Sequence, residues 1–339
     1  MERNKLAKVN PKEVVVGLDV GRSGVKLAFM FNNELKTHFI PSVVGPAMKL
    51  TFDANPKLTK ENTVEVNGTS YFVGETAIEQ GATETVGLND QWLNGFEHQA
   101  LLERSKSLLK SYGVVPRLIV AGLPVKTFNA SAELLYKQIN SVFGCSVAPV
   151  PQPWGVYQDY LLNDDGRYKA NVTNSLSKKF AVIDVGHFTT DILLMSNFQW
   201  IQEGSGSTSG MYKSVKDLQE RLAATGTSAT LIECQEVMRT RTLKQFGEFL
   251  DVSHLVNEAI PMGVGPVVQH VKNLLGTQAR TIDHIIIAGG GSQAVFDELV
   301  KVWRQCALAE NPRFSVAVGM RKYGVAQANA DPSCLELST

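Results

Sequence analysis

The stretch "GLDVGRSGVKLAFM", Gly17–Met30, sets an aspartate at the end of an apolar run, follows it with a glycine-rich turn, and then gives a lysine and a second apolar run. Far downstream, "VIDVGHFTTDILLM", Val182–Met195, repeats the pattern. Asp19 aligns with Asp184, Gly21 with Gly186 and Met30 with Met195. Each copy reads as strand, tight turn, strand. One Asp-x-Gly alone is most simply a turn in which aspartate bonds its own backbone and glycine supplies a positive φ. Two copies point instead to one β-hairpin used twice, in two related domains that face each other.

Such a pair suits one chemistry. A glycine-rich turn lets backbone N–H groups approach a polyphosphate; the hydroxyls of Ser23, Thr189 and Thr190 add donors, and Lys26 neutralises phosphate charge. Asp19 and Asp184 can hold Mg²⁺ through its waters, since magnesium dehydrates reluctantly and bridges carboxylate to phosphate. A third element fits the same ligand. "HIIIAGGGSQAVFDELV", His284–Val300, reads as strand, then Gly289, Gly290 and Gly291, then an amphipathic helix. A base or sugar can lie against such glycines where helix-start amides are free.

Working outward, short aliphatic runs at Val14–Val20, Leu118–Ala121, Phe180–Val185 and His284–Ala288 alternate with longer stretches of helical spacing. That alternation predicts a layered α/β architecture. "NTVEVNGTSYFVGE", Asn62–Glu75, alternates about Asn67-Gly68 and predicts a type I′ hairpin in a small inserted subdomain. With 339 residues, 44% of them hydrophobic and 19% charged, the chain has material for two domains. Lys+Arg and Asp+Glu both number 33, so no basic field advertises nucleic acid or an acidic membrane. Cys145, Cys234, Cys306 and Cys334 show neither zinc-site nor disulfide spacing. No apolar run approaches the ~20 residues that cross a bilayer, and the start, MERNKLAKVNPKE, is unlike a signal peptide. A soluble cytoplasmic protein is expected.

Other site classes are missing from the sequence: no G-x-x-x-x-G-K-[ST], no G-x-G-x-x-G after the first strand, no G-x-S-x-G and no H-E-x-x-H. His187 falls within the second hairpin turn, where a backbone contact and a phosphate contact are both open. Trp92, Trp154, Trp200 and Trp303 have no spacing of a base-stacking platform and are expected in packing.

The order of the three motifs resembles that of the actin, sugar-kinase and seventy-kilodalton-chaperone superfamily. Within it, the chain is similar to the bacterial actin-like plasmid-segregation proteins of the ParM/StbA family. The resemblance is carried by GLDVGRSGVK, LIVAGLPVKTF (Leu118–Phe128), IDVGHFTTD, GSGSTSGMYKSVKDL from Gly204, IIIAGGGSQAVFDEL and RFSVAVGMRKYG near the end. It implies an actin-like fold, with two related ribonuclease-H-like α/β domains around a nucleotide cleft. Domain I would span residues 1–178 with an insertion at about 32–90 and a returning C-terminal helix at 318–339; domain II would span 179–317.

The resemblance also implies roles. Asp19, Gly21, Ser23, Gly24 and Lys26 would form the first phosphate loop, with Arg22 where family members often carry other residues. Asp184, Gly186, Thr189 and Thr190 would form the second, and Gly289–Gly291 the adenosine clamp. Gly204–Gly210 would be a loop and helix start near the nucleotide, against its bare reading as a flexible Gly/Ser connector. In "PVPQPWGVYQDYLL", Gln152 would position the water that attacks the γ-phosphate; on residues alone it is a helix-start residue between prolines. Glutamine orients water without deprotonating it, so a slow hydrolase is implied. The implied function is an ATP-dependent filament, with GTP the other candidate nucleotide, that segregates plasmid, phage or similar replicon DNA. It would do so through a DNA-binding adaptor on a centromere-like site, without touching nucleic acid or membrane itself. Two alternatives stay open: a small-molecule, sugar-type kinase of the same superfamily, and a nucleotide-gated regulatory or chaperone-like module, which would need a further substrate domain not expected after Gly324.

Overall fold

The computed structural model describes residues 10–82, 92–170, 172 and 177–335; the first nine residues, read above as part of a polar start, lie outside these. Two mixed sheets repeat one topology. In the first, β1 (Val15–Val20), β2 (Gly24–Phe31), β3 (Glu34–Pro41), β7 (Leu118–Leu123) and β8 (Ser146–Pro151) take the order β3-β2-β1-β7-β8. In the second, β9 (Lys179–Val185), β10 (Thr189–Ser196), β11 (Gln199–Trp200), β15 (His284–Ala288) and β16 (Cys306–Leu308) take the order β11-β10-β9-β15-β16. The first three strands of each sheet are antiparallel meanders, and the later two join in parallel. β1 and β9 are apolar and buried along nearly their whole length, as strands covered on both faces must be.

The small subdomain holds β4 (Val44–Pro46), β5 (Thr63–Val66) and β6 (Thr69–Val73), in the order β4-β6-β5. Asn67 and Gly68 have φ of 51° and 77°, as a type I′ turn requires. The insertion starts later than the expected 32, because Glu34–Pro41 pairs along all of β2 and is the edge of the main sheet; residues 83–90 at its expected end lie outside the described residues. In the second half, β12 (Gly206–Ser209) adds to β10, and β13 (Thr242–Gln245) with β14 (Glu248–Asp251) forms a separate hairpin.

Between the sheets lie two helices, Gln152–Leu161 and Ser315–Ala330. The second starts at Ser315 rather than at the expected 318 and ends at Ala330; residues 336–339 lie outside the described residues. One apolar cluster joins Val15, Leu118 and Val120 of the first sheet to Phe180, Val182 and Ile286 of the second through Tyr157, Val316 and Met320 on these helices. Each large apolar side chain so buried contributes about 1.5–3 kcal/mol. The helices cross backbone to backbone: a Cβ on Gly319 would stand 1.7 Å from the Gly155 carbonyl oxygen. Beside the crossing, Asp159 accepts hydrogen bonds from Lys322 Nζ and Ser315 Oγ, each at 2.7 Å, which satisfies a buried carboxylate. Among the described residues no helix is long and apolar enough to cross a membrane.

Candidate functional site

Each hairpin places a buried aspartate one residue before the end of its first strand. Asp19 is 1% exposed and Asp184 7%. Lys26 Nζ donates to Asp19 Oδ2 at 2.9 Å, and Gln152 Nε2 donates to Asp19 Oδ1 at 2.7 Å, so both oxygens of Asp19 are engaged. Gln152 reaches it because Pro151 ends β8 and the helix begins at once, with Pro153 in its first turn. Burial alone would lower the Lys26 pKa, but Asp19, Asp184 and the hydrogen bond to Asp19 outweigh it and raise it, so the ammonium stays charged.

Asp184 is held differently. Its Oδ1 is buried with no hydrogen-bond partner among the described residues, and so is Thr190 Oγ1. Burial pushes the Asp184 carboxyl up to about 7; Lys26 opposes the shift, while Asp19 and Asp191 add to it. An unpaired buried carboxylate oxygen is costly, and with Lys26 close by it makes this a candidate site for a further ligand. Among the described residues no group of three His, Cys, Asp or Glu side chains is arranged to cage a metal. A donor set of two carboxylates fits a cation that keeps its own water shell.

The turns themselves are braced. In the first, which carries Gly21, Arg22 and Ser23, Ser42 Oγ donates to the Gly21 carbonyl at 2.5 Å and Ser42 N to the Ser23 carbonyl at 3.2 Å. Gly24 opens β2 against the ring of Phe39, which a Cβ would strike at 2.0 Å. In the second, Gly210 N, Met211 N and Tyr212 N donate to the carbonyls of Phe188, Gly186 and His187 at 2.8, 3.1 and 2.7 Å. Gly204–Gly210 is therefore no flexible connector: Gly206–Ser209 is a strand in register with Thr189–Ile192, and it delivers Gly210 onto the turn. His187 packs against Phe188 and Tyr212, and burial pushes its pKa down to about 4. It is a neutral ring within the turn.

The third element closes on the second hairpin. Gly289 adopts φ +91°, and a Cβ there would stand 2.4 Å from the Val185 carbonyl oxygen and 2.6 Å from Asp184 Oδ1. Gly291 N donates to the Val185 carbonyl at 3.0 Å, whereas Gly290 has nothing within 4 Å of a Cβ position and faces open space. The structure thus gathers Asp19, Lys26, Gln152, Asp184 and Gly289 about one point, with the two turns beside it. Sequence reasoning missed Ser42, the brace of the first turn, and Asp191, the residue across the ladder from Asp184. Asp191 stands in the second motif at the position of Lys26 in the first, and that register was its available signal.

Comparison with known proteins bears on the fold. Residues 17–148 match a family model described as the N-terminal domain of actin-like proteins. Residues 182–301 match one described as the C-terminal part of the archaeal, MreB-like actin homologue. No curated protein matches the chain. Among solved structures, the actin-like protein Alp7A superposes with a TM-score of 0.72 at 11% identity, over 94% of this chain and 98% of that one. A 15-stranded ParM filament from Clostridium botulinum gives 0.67 at 18% identity, over 92% and 99%. The archaeal actin homologue Ta0583 in complex with ADP gives 0.67 at 19% identity, over 91% and 98%. These likenesses are likenesses of fold.

Proposed function

We propose that this chain, an actin-like protein with the two-domain fold that ParM shares, is a nucleotide-driven filament former. It hydrolyses ATP slowly and segregates plasmid-like DNA through a DNA-binding adaptor. The observation that carries the nucleotide site is the pair of hairpins presenting Asp19 with Lys26 and Asp184 with an unpartnered oxygen at one point, beside the open Gly290. Polymerisation is supported by the likeness to a ParM structure that is itself a filament. The adaptor is what the resemblance to ParM-type segregation proteins implies, and the balance of 33 basic and 33 acidic residues, which offers no field for direct DNA contact, agrees with it.

Within the cleft, the two turns supply backbone donors for the phosphates, and Lys26 offsets their charge while remaining tied to Asp19. Asp19 and Asp184 would hold a Mg²⁺ through its waters, as two carboxylates without a third ligand suit. The metal, when bound, neutralises charge that develops on the phosphoryl oxygens. Gln152, hydrogen-bonded to Asp19, orients the attacking water; it has no basicity with which to deprotonate it. Gly289–Gly291 receive the sugar and base. Domain I comprises the first sheet, the small subdomain and the returning helix from Ser315, and domain II the second sheet with its insertion.

The test is direct. Purified protein given Mg-ATP should scatter light and sediment as polymer, release phosphate slowly, and lose the scattering as ATP is spent; with ADP it should stay dispersed. Persistent monomer at high concentration in every nucleotide state overturns the reading. Hydrolysis that depends on an added sugar would make the chain a kinase.

A further inference from the structure

The two domains meet at a polar contact that the nucleotide reading does not use. Val125 N, in the short turn that follows β7, donates to Asp191 Oδ1 of β10 at 2.8 Å, in a buried bond between the first domain and the second. The same oxygen accepts from Ser207 Oγ of β12 at 2.5 Å, and Ser207 Oγ in turn accepts from Lys126 N at 3.2 Å. Asp191 and Ser207 are cross-strand partners, Asp191 is 1% exposed, and Pro124 presets the chain so that the next two amides point across the gap.

Asp191 also faces Asp184 directly across the β9–β10 ladder. In the first hairpin the equivalent position holds Lys26, which satisfies its aspartate within the hairpin. The second hairpin has a carboxylate there, and a buried carboxylate must find donors elsewhere. Two hydroxyl donors, Ser207 and Thr189, belong to its own domain. The backbone donor, Val125 N, belongs to the opposite one, so swinging the domains apart strips Asp191 of that donor while Asp184 stays beside it.

We infer that Asp191, Ser207 and the amides of Val125 and Lys126 form a latch that holds the cleft closed, with Asp191 a positioning residue for closure and not a contact of the nucleotide. The inference rests on the cleft being the nucleotide site. The function of the latch is to set how long a bound nucleotide stays: the bond must break for the domains to part.

The experiment reads the latch first in nucleotide-free protein. Asp191→Ala should speed amide hydrogen exchange at Val125 and Lys126 by about 10- to 100-fold, the range expected when a hydrogen bond to a charged group is lost. It should also enlarge the radius of gyration measured by X-ray scattering. Asp191→Asn, which keeps an acceptor oxygen, should restore most of the protection, and Ser207→Ala should expose chiefly Lys126. A fluorescent ATP analogue should then leave Asp191→Ala faster by a similar factor, with its association rate unchanged. Wild-type exchange at both amides and an unchanged radius in Asp191→Ala overturn the latch. If that variant does not fold, wild-type exchange at Lys126 in Ser207→Ala overturns it. A wild-type protein that binds no nucleotide would sink the functional reading, while the exchange and scattering measurements would still decide the latch.

Discussion

In the first hairpin Lys26 stands across the ladder from Asp19 and closes an ion pair at 2.9 Å; in the second, the same register position holds Asp191 across from Asp184. The first turn is braced by one residue, Ser42, and the second by three successive amides from Gly210 onward. One backbone design has thus been given two electrostatic characters. The first half carries its own counter-charge, and the second carries an excess of buried carboxylate, one member of which takes a hydrogen bond from the other domain. The difference teaches that a repeat can keep its geometry while dividing one task into two unlike shares.

The largest expected effect tests the acidic share. Asp184→Ala should lower phosphate release from excess Mg-ATP by about 10³-fold or more, because it removes one side of the cation's shell where charge develops; wild-type turnover would break the division. Next is the share held by domain I alone. Gln152→Ala should lower hydrolysis by about 10²-fold, as for loss of a positioning contact, while filaments still form. Light scattering and phosphate release followed together after limiting ATP should rise and hold in this variant, and rise and decay in wild type.

Two opposed pH dependences within the second hairpin sharpen the comparison further. Burial pushes the Asp184 carboxyl up to about 7 in the fold, against 3.8 for an ordinary carboxyl, so it makes the protein less stable as pH rises through that window. His187, pushed down to about 4 from 6.5, acts in the other sense: its contribution is complete above 6.5 and is lost as pH falls toward 4. The two slopes nearly cancel in wild type. Relative to wild type, Asp184→Asn should gain stability with rising pH and His187→Gln should lose it, each by about 2 kcal/mol between pH 4.5 and 6.5 in denaturant titrations. Parallel curves for both variants would show that neither shift matters. The smallest effect is on the first turn: Ser42→Ala removes the bond to the Gly21 carbonyl and should lower stability by about 1 kcal/mol, read as a shift in the denaturation midpoint.

What was legible in the sequence was local. An apolar run ending in Asp-x-Gly fixes where β1 and β9 stop and what they present, and Asn67-Gly68 specifies its own turn. Asp191 was in plain view in IDVGHFTTD, yet its partner Val125 lies in another domain, and no local rule joins them. Gly206–Ser209 has almost no intrinsic preference for a strand; it is one because β10 offers an unpaired edge there. Glu34–Pro41 alternates like the strands that follow it, so pattern alone could not assign it to the main sheet rather than to the insertion.

The crossing of Gly155 and Gly319 has a mechanical consequence. Where two helices meet through side chains, a change in their angle must carry interlocked groups from one rotamer to another, and the motion proceeds in steps. Here no side chain stands between the backbones, while the Asp159 clamp keeps the contact pressed together beside it. The pair can serve as a plain bearing. A methyl added at Gly319 would strike the Gly155 carbonyl oxygen and jam it by wedging the shafts apart.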